Sequence, residues 1–445
     1  MAPEALFDVE GDDATAPAQA SKPPRGGPKR LRYAVRSQVE FQECSLNELL
    51  SEDHQARIVW EFVCGLDLAE LRQRIQAVEG GPGQAPADPR ILLALWLYAT
   101  LRGVGSAREL NRLCRDHAAY RWLCGGVSMN YHGLSDFRSD HVELLDRLLT
   151  ESVASLMAEG LVTLDRVAQD GMKVRASAGA ASFRRQATLE EALAQAEHQV
   201  AQLREELQAD PAAGKTRQQA AQQRAAEERA ERIRGALEQL PQIAASKKAK
   251  DRDQARASTT DPEARVMKGP DGGFRPSFNV QLATATESQI ITGVEVTNSG
   301  GDQGQLAPMV EQHQQRYEEQ PQEALVDGGF VKLADIDEVS QGGTTVYAPV
   351  RKPKDPERDP HAPREGDSEA VAAWRQRMAS DEAKAIYRER AATAECVNAL
   401  ARNRGLRQFL VRGLRKVKAV ALLYVLAHNL MRAVALRAAA AAKAA

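Results

Sequence analysis

The chain has 445 residues, which is enough for two or three domains with separate hydrophobic cores. Its 59 Lys and Arg residues nearly balance its 61 Asp and Glu residues, so the chain is neither a strongly basic nor a strongly acidic protein. Its cysteines are odd in number (five) and widely scattered, which excludes a small disulfide-stapled scaffold and favours a reducing compartment.

Nothing in the sequence predicts export or a membrane span. The first residues, "MAPEALFDVEGDDATAPAQ", lack the basic and apolar regions of a secretory signal. The longest apolar run, "AVALLYVLA" at 419–427, is too short to cross a bilayer. We therefore expect a cytoplasmic protein that has no membrane partner.

The first two segments differ in composition. Residues 1–30 are acidic and then rich in Pro, Gly and Lys, which predicts a disordered tail. Residues 31–155 carry apolar residues at intervals of three and four, as in "RILLALWLYATLRG" and "ARELNRLCRDHAAYRWLCGG". This spacing predicts an all-helical N-terminal domain.

The stretch "VAQDGMKVRASAGA", from Val167 to Ala180, has the alternation of a β-strand. Ala168, Asp170, Met172 and Val174 fall on one face, and that face is apolar apart from the single carboxylate. Such an Asp is commonly a turn former, particularly before Gly, so the residue alone does not establish a site.

Residues 186–249 predict an antiparallel helical hairpin. Two arms with heptad-like spacing flank the break "DPAAGK", and their apolar positions are Leu189, Leu193, Ala196, Val200, Leu203 and Leu207, then Ala226, Ala230, Ile233, Leu237 and Leu240. Such repeats mostly bury one another, so the simplest interpretation is an inserted structural element without chemistry.

The segments 156–185 and 250–436 predict one α/β domain interrupted by this hairpin. Paired strands are expected in "RPSFNVQLATATESQIITGVEVTN", followed by a helix after Asp302, the strand "EALVD", a helix at "VKLADIDEVSQ" and the strand "TTVYAPV". A charged, Pro-rich loop at 351–370 precedes helices at about 383–402 and 407–436. Residues 437–445 form an Ala-rich tail.

A second carboxylate gives Asp170 more weight. Asp327 ends the strand "ALVD", at the carboxyl end where ligand sites of open sheets gather. Two buried carboxylates repel each other, and a divalent cation between them relieves that repulsion. Mg²⁺ prefers carboxylate oxygens as ligands. Glu395 is the third candidate, because it is the sole acid in "AATAECVNALARNRG".

Four blocks of the chain resemble bacterial insertion-sequence DDE transposases. They are "VAQDGMKVRASAG", "TNSGGDQGQLAPM", "EALVDGGF" and "YRERAATAECVNALARNRGLRQFLVRGLRKVKAVALLYVLAHNLMRAV", and they come in the family's order. The last block resembles the subgroup with a Tyr, Arg, Glu, Lys signature around the final acid. The segment "ARELNRLCRDHAAYRWLCGG" is similar to that group's N-terminal domain.

The resemblance implies an α/β fold with an RNase H-like mixed sheet, helices on both faces, and the hairpin inserted after the first strand. Asp170 on the first strand, Asp327 after the fourth and Glu395 on a later helix would hold two Mg²⁺ ions, for which Mn²⁺ substitutes.

The signature positions are Tyr387, Arg390, Glu395 and Arg402. Arg402 stands where the family usually has Lys; it keeps the positive charge but carries a planar guanidinium instead of an ammonium group. Asn398 and Ala399 stand where the family often has an aromatic residue and Gly, and Met172 stands where it commonly has Thr. These departures concern contacts to DNA more than the metal site.

The C-terminal region is basic and predicts a DNA-binding surface. Seven cations fall within a short stretch that contains no acid: Arg402, Arg404, Arg407, Arg412, Arg415, Lys416 and Lys418. A solvated helix surface is the ordinary explanation of such charges, but their mutual repulsion favours an anionic partner such as a phosphate backbone.

Three further groups have simpler explanations than a site. Cys114, His117, Cys124 and His132 could suggest zinc, but their helical spacing is that of core residues. Asp165 is expected to be a turn or strand-edge acid, and Asp302 an N-cap of the helix that follows it.

The sequence thus predicts a transposase that cuts double-stranded DNA at the ends of its own element, as a homodimer, and joins those ends to a target. Arg108, Arg112, Arg115 and Arg121 make the N-terminal domain the candidate reader of element ends. Two alternatives remain open: a transposase-derived DNA-binding protein that is no longer catalytic, and an RNase H-like nuclease without strand transfer.

Overall fold

The structure is a computed structural model that describes residues 45–75, 77, 85–209, 217–353, 355 and 357–444. The predicted disordered tail, 1–30, lies outside these residues. The described residues form one compact unit.

The N-terminal part is helical. Asp88 and Asn130 cap their helices through side-chain oxygens that accept backbone N–H groups, and Pro89 occupies the first turn of its helix. Leu93, Leu95 and Trp96 are buried in the shared core. The helices are α1 Gln55–Cys64, α2 Ala69–Gln73, α3 Pro89–Leu101, α4 Ala107–Asp116, α5 Ala118–Cys124, α6 Tyr131–Asp140 and α7 Val142–Ala158.

Three of the four residues of the zinc alternative serve this helical core, whereas His132 is exposed. Cys114 and Cys124 are buried within it. His117 caps α5, because its Nδ1 accepts the N–H of Ala119 at 3.2 Å. No group of three His, Cys, Asp or Glu residues in the described ranges is arranged to hold a metal ion.

A mixed sheet follows the helical part. Its strands are β1 Arg166–Arg175, β4 Arg265–Lys268, β5 Phe274–Ala285, β6 Ile291–Thr297, β7 Glu323–Leu325 and β8 Thr345–Tyr347. The order is β4–β5–β1–β7–β8, and β6 pairs with β5 beside β4. β1 is antiparallel to β5 but parallel to β7, and β7 is parallel to β8. The predicted pairing of the two strands in 275–298 is confirmed.

Helices cover both faces of the sheet. Met172, Val174 and Val280 share a core with residues of α14, Cys396–Asn403, and α15, Leu414–Ala444. On the other face, Val167 and Ala283 pack against Met309 of α10, Leu306–Tyr317. Because neighbouring residues of a strand point to opposite faces, Asp170 and Gly171 are directed to different sides of β1.

Two long helices, α8 Gln186–Ala209 and α9 Arg217–Ala245, pack against each other. Arg204 pairs with Glu227 at 2.9 Å, and Arg234 with Glu197 at 2.7 Å, so the helices are antiparallel. Short strands β2 Phe183–Arg184 and β3 Ala257–Ser258 pair at the base of the two helices. The chain therefore leaves and re-enters the sheet region at one place.

The C-terminal part contains α11 Leu333–Gln341, α12 Glu369–Arg377, α13 Asp381–Arg390, a π-helical segment Ala391–Glu395, α14 and α15. The predicted helix start at 407 is wrong, since α15 begins at Leu414. The preceding segment instead extends along β1, where the N–H of Phe409 donates to the carbonyl of Arg175 at 2.8 Å. Gly413, with φ of +85°, then turns the chain into the helix.

The helix α15 extends beyond the predicted end at 436 and includes most of the Ala-rich tail. By length and composition it could cross a membrane, but 67% of its most apolar 18-residue stretch is buried inside the protein. It packs against α3, α6, α7 and β6, as the core helix of a globular protein does.

Candidate active site

Asp170 lies in the middle of β1, on the face that α14 covers. Its Oδ2 accepts a hydrogen bond from Asn398 Nδ2 at 2.9 Å, and its Oδ1 accepts the N–H of Gly171 at 2.9 Å. Only 18% of its side chain is exposed. Burial raises the pKa of this carboxyl and nearby Asp327 raises it further, whereas Arg390 opposes the shift. The site therefore holds an acid whose charged form needs a cationic partner.

Arg390 supplies part of that positive charge and links Asp170 to Glu395. Its guanidinium nitrogens lie 3.8 Å from Asp170 Oδ2 and 3.7 Å from Glu395 Oε1. Arg390 is the last residue of α13 and Glu395 the last of the π-helical segment, so the wider turn of this segment brings the two residues to the same side of the helix. The pKa of Arg390 is raised, because Tyr387, Asp170 and Asp327 together outweigh the effect of its burial.

Asp327 follows β7, the parallel neighbour of β1. Its Oδ1 accepts the N–H of Gly329 at 2.7 Å, which fixes the turn after the strand. Its charge raises the pKa of both Asp170 and Tyr387, so it belongs to the same electrostatic site. The parallel pairing of Ala168 with Leu325 explains the proximity, since both strands run toward the same edge.

Tyr387 completes the group around Arg390. The guanidinium carbon of Arg390 lies 6.0 Å from the centre of the tyrosine ring. Burial raises the pKa of the Tyr387 hydroxyl, which therefore stays protonated and able to donate a hydrogen bond at neutral pH.

The three acids have the right chemistry for a hard divalent cation, but their arrangement is not a finished metal centre. All three offer carboxylate oxygens, which Mg²⁺ prefers. Glu395 is 63% exposed and directed toward solvent, and the guanidinium of Arg390 lies between it and Asp170. The nearby Asn398 Oδ1 is buried and has no hydrogen-bond partner in the described part of the chain. The carboxylates are suitable ligands for such an ion. The guanidinium of Arg390 is the cation that lies between Asp170 and Glu395.

Asp302 is not the N-cap that we predicted. Helix α10 begins at Leu306 with Gln305 at the cap position. The Asp302 carboxylate instead lies against the sheet, on the face opposite to Asp170. It forms an ion pair with Lys173 at 2.9 Å and accepts hydrogen bonds from Asn279 and Gln281, both at 2.7 Å.

This buried network holds the loop before α10 against the face of β1 opposite to Asp170. A Cβ at Gly171 would lie 2.1 Å from Asp302 Oδ1, so the carboxylate uses the space that a side chain would fill. Gln169 also donates to the carbonyl of Gln305 at 2.9 Å. Asp165, in contrast, stands just before β1 and accepts a hydrogen bond from Gln322, as a strand-edge acid would.

Part of the basic C-terminal region is neutralised within the protein. Mutual repulsion of its cations is therefore a weaker reason to expect an anionic partner there. Arg415 pairs with Glu143 at 2.8 Å, and Lys418 pairs with Glu295 at 2.9 Å, so acids distant in sequence neutralise these two cations. Arg412 and Lys416 are exposed, and neither is in an ion pair with another described residue.

The other three predicted DNA contacts surround the end of α14. Arg402 lies in its last turn, and its carbonyl accepts a hydrogen bond from Arg407 Nε at 2.9 Å. One terminal nitrogen of Arg404 is buried and has no partner within the described ranges. Arg407 is exposed.

Asn398 is the site residue that sequence reasoning missed. In the sequence it is a departure from the family pattern, yet in the fold it contacts Asp170 directly. A usable signal was present, because Asn398 is three residues after Glu395 and four before Arg402, which places all three on one side of a helix.

Two family models match the chain, one before the strands of the sheet in sequence and one after them. A transposase domain of the type DUF772 matches residues 44–140, which contain helices α1 to α6. A transposase DDE domain matches residues 354–434, which contain Tyr387, Arg390 and Glu395. No curated protein and no solved structure matches the chain.

Proposed function

We propose that this chain, a member of the DDE transposases, cuts DNA at the ends of its insertion sequence and joins them to a target by metal-dependent phosphoryl transfer. DDE transposases act on DNA, which is therefore the partner of this chain. One contact supports the finer proposal best. Arg390 contacts Asp170 on β1 and Glu395 on the matched C-terminal segment, so it unites acids from distant parts of the chain.

We propose an RNase H-like core for the sheet. The supporting feature is the strand order β6–β5–β1–β7–β8. The neighbours β6, β5 and β1 are antiparallel, and β7 and β8 run parallel to β1. In this arrangement Asp170 lies on the central strand and Asp327 follows its parallel neighbour. Residues 186–249 would then be an insertion between the first and second strands of the core.

Asp170, Asp327 and Glu395 would hold two Mg²⁺ ions, with Mn²⁺ as a substitute. The metal would supply the positive charge that activates an attacking oxygen and stabilises the leaving oxygen. Asn398 keeps one oxygen of Asp170 oriented through its hydrogen bond. For Glu395 to join the other acids, Arg390 must move from between them, which frees its guanidinium to contact the scissile phosphate.

Tyr387, Arg402, Arg404 and Arg407 would contact the DNA near this site. We also propose that Arg412, Arg415 and Lys416 bind phosphates, although DNA must compete with Glu143 for Arg415. The helical N-terminal part would read the element ends. We further propose that the protein acts in the cytoplasm as a homodimer on DNA.

One assay separates this function from its rivals. Purified protein, Mg²⁺ and DNA that carries the ends of the element should give cleaved ends and joined products. Cleavage without joining would favour an RNase H-like nuclease. Binding of the same DNA without any cleavage would favour a transposase-derived binding protein and contradict the proposal.

A further inference from the structure

A cleft of about 640 Å³ lies where three parts of the chain meet. Helix α6 contributes Ser135, Arg138 and Ser139 to its wall, and α9 contributes Arg232 with two neighbouring acids. The segment before α15 supplies Arg412 and the exposed Leu410, and the first turn of α15 supplies Lys416. Four cations and two carboxylates, Glu228 and Glu231, therefore line one surface.

Arg138 is the unusual member of this lining. It is 7% exposed, and no described carboxylate lies within ion-pair distance of it. Its guanidinium donates to the carbonyl of Gly105 and lies 5.0 Å from the centre of the Trp96 ring. Its Nε has no hydrogen-bond partner in the described part of the chain. Burying a cation without a counterion costs free energy. An anion in the cleft would pair with the guanidinium of Arg138 and lower that cost.

The other cations are also open to a ligand. Arg232 reaches its nearest acid, Glu228, only at 3.5 Å, and its Nε is buried without a partner in the described ranges. Arg412 donates to the carbonyl of Ser177 at 3.3 Å, and Lys416 is exposed. Hydroxyl groups of Ser135 and Ser177 provide neutral hydrogen-bond donors along the same wall.

The position of the cleft suggests its ligand. Ser177 is seven residues beyond Asp170 along the direction of β1, which corresponds to roughly 20 Å. That distance spans about six nucleotides of one DNA strand. Phosphates of a duplex bound at Asp170 would thus reach the cleft.

We infer that this cleft binds the phosphate backbone of the DNA flank, with Arg138, Arg232, Arg412 and Lys416 as its contacts. This inference rests on the proposed function, because it takes DNA as the ligand. It assigns a role to α9, whose sequence predicted only a structural element. The cleft offers charges and hydroxyl groups in place of a base-reading element in a groove, so the binding should not depend on sequence.

The test uses a labelled 30-base-pair duplex of random sequence, the full chain and EDTA, so that affinity is measured without cleavage. The triple variant Arg232→Gln, Arg412→Gln, Lys416→Gln should bind more weakly than the wild type. Its slope of log affinity against log salt should be smaller by about 0.9 for each phosphate that the variant no longer neutralises. A free phosphate ion carries no condensed counterions and would not give this change of slope.

The matched control is Arg229→Gln, since Arg229 is exposed on the same helix and does not line the cleft. It should leave both affinity and slope unchanged. Arg138→Gln should also reduce the slope, and equal melting temperatures would show that these variants fold. Wild-type affinity and slope in the triple variant would overturn the inference, as would the absence of duplex binding by the wild type.

The proposed function is tested separately. A reduced slope in the triple variant, together with no cleavage by the wild type in Mg²⁺, would leave the cleft standing and contradict the transposase proposal. If the triple variant binds DNA like the wild type and cleaves element ends normally, the inference about the cleft is wrong but the proposed function stands.

Discussion

Asn398 Nδ2 donates a hydrogen bond of 2.9 Å to Asp170 Oδ2, although 228 positions separate the two residues in the chain. The contact fixes the orientation of an acid whose side chain is largely buried. It also joins β1 to α14, the helix that follows Glu395.

Replacing Asn398 with Ala should therefore reduce DNA cleavage by about 10–100-fold while the fold is retained, as is usual for residues that orient a metal ligand. Cleavage rate, Mg²⁺ dependence and circular dichroism are the measurements. Asn403→Ala is the control, because Asn403 is exposed at the end of the same helix. Equal rates for the Asn398 variant and the wild type would show that this hydrogen bond does not orient Asp170.

Asp302 should contribute to stability through its network. Asp302→Asn leaves Lys173 without its ion-pair partner in a place where 18% of the lysine side chain is exposed. We expect a loss of about 2 kcal/mol in the free energy of unfolding, measured with urea. Adding Lys173→Met should recover part of that loss, since no unpaired charge then remains. Strict additivity of the two changes would argue against direct coupling.

Gly171 should tolerate no side chain. Gly171→Ala would place a Cβ 2.1 Å from Asp302 Oδ1 and 2.6 Å from Gln281 Nε2, so the network must shift. A loss of about 1–3 kcal/mol is expected in thermal or urea unfolding. Gly179→Ala is the control, because a Cβ there would meet no atom within 4 Å. A fully stable Gly171 variant would show that Asp302 can be displaced at no cost.

His428 should make the protein less stable in acid. Burial lowers the pKa of His428 to about 4, although its hydrogen bond to the Gln289 carbonyl opposes the shift. The unfolded chain, with a pKa of about 6.5, binds the proton first, so stability falls as the pH drops between these values.

The variant His428→Gln keeps a donor for Gln289 but does not titrate. Between pH 6.5 and 4.5 it should therefore lose less stability than the wild type, by up to about 1.4 kcal/mol for each pH unit. Urea unfolding at both pH values measures this difference. Parallel pH profiles of the two proteins would mean that His428 keeps an ordinary pKa in the fold.

Periodicity in the sequence was enough to predict strand β5, although both faces of that strand are buried from residue 276 to 285. The alternation of Phe278, Val280 and Leu282 predicted β5, and the carboxyl end of "ALVD" correctly located Asp327 after a strand. Local patterns could not predict the extended segment before α15, because it is set by the hydrogen bond from Phe409 to Arg175.

The same limit applies to the site. Asp302 resembles a helix cap in sequence, but Asn279, Gln281 and Lys173 attract its carboxylate across the sheet. Asn398 differs from the family pattern, and only the folded chain brings it to Asp170. Contacts between residues distant in sequence decide the role of such side chains, and one sequence does not contain them.

We propose that Asp170, Asp327 and Glu395 form one metal-dependent catalytic site. Asp170→Asn, Asp327→Asn and Glu395→Gln each preserve shape but remove a negative ligand, so each should bind Mg²⁺ more weakly and abolish cleavage. Because the three act as a unit, double variants should be little worse than the worst single variant. Asp165→Asn, at the strand edge, is the control and should cleave normally.

The most direct measurement is the cleavage rate of Asp170→Asn on DNA that carries the element ends, in Mg²⁺ and beside the wild type. We expect a folded variant that still binds this DNA and yields no cleaved product above background. Cleavage at the wild-type rate would contradict the proposal, because the proposed metal site cannot work without the Asp170 carboxylate.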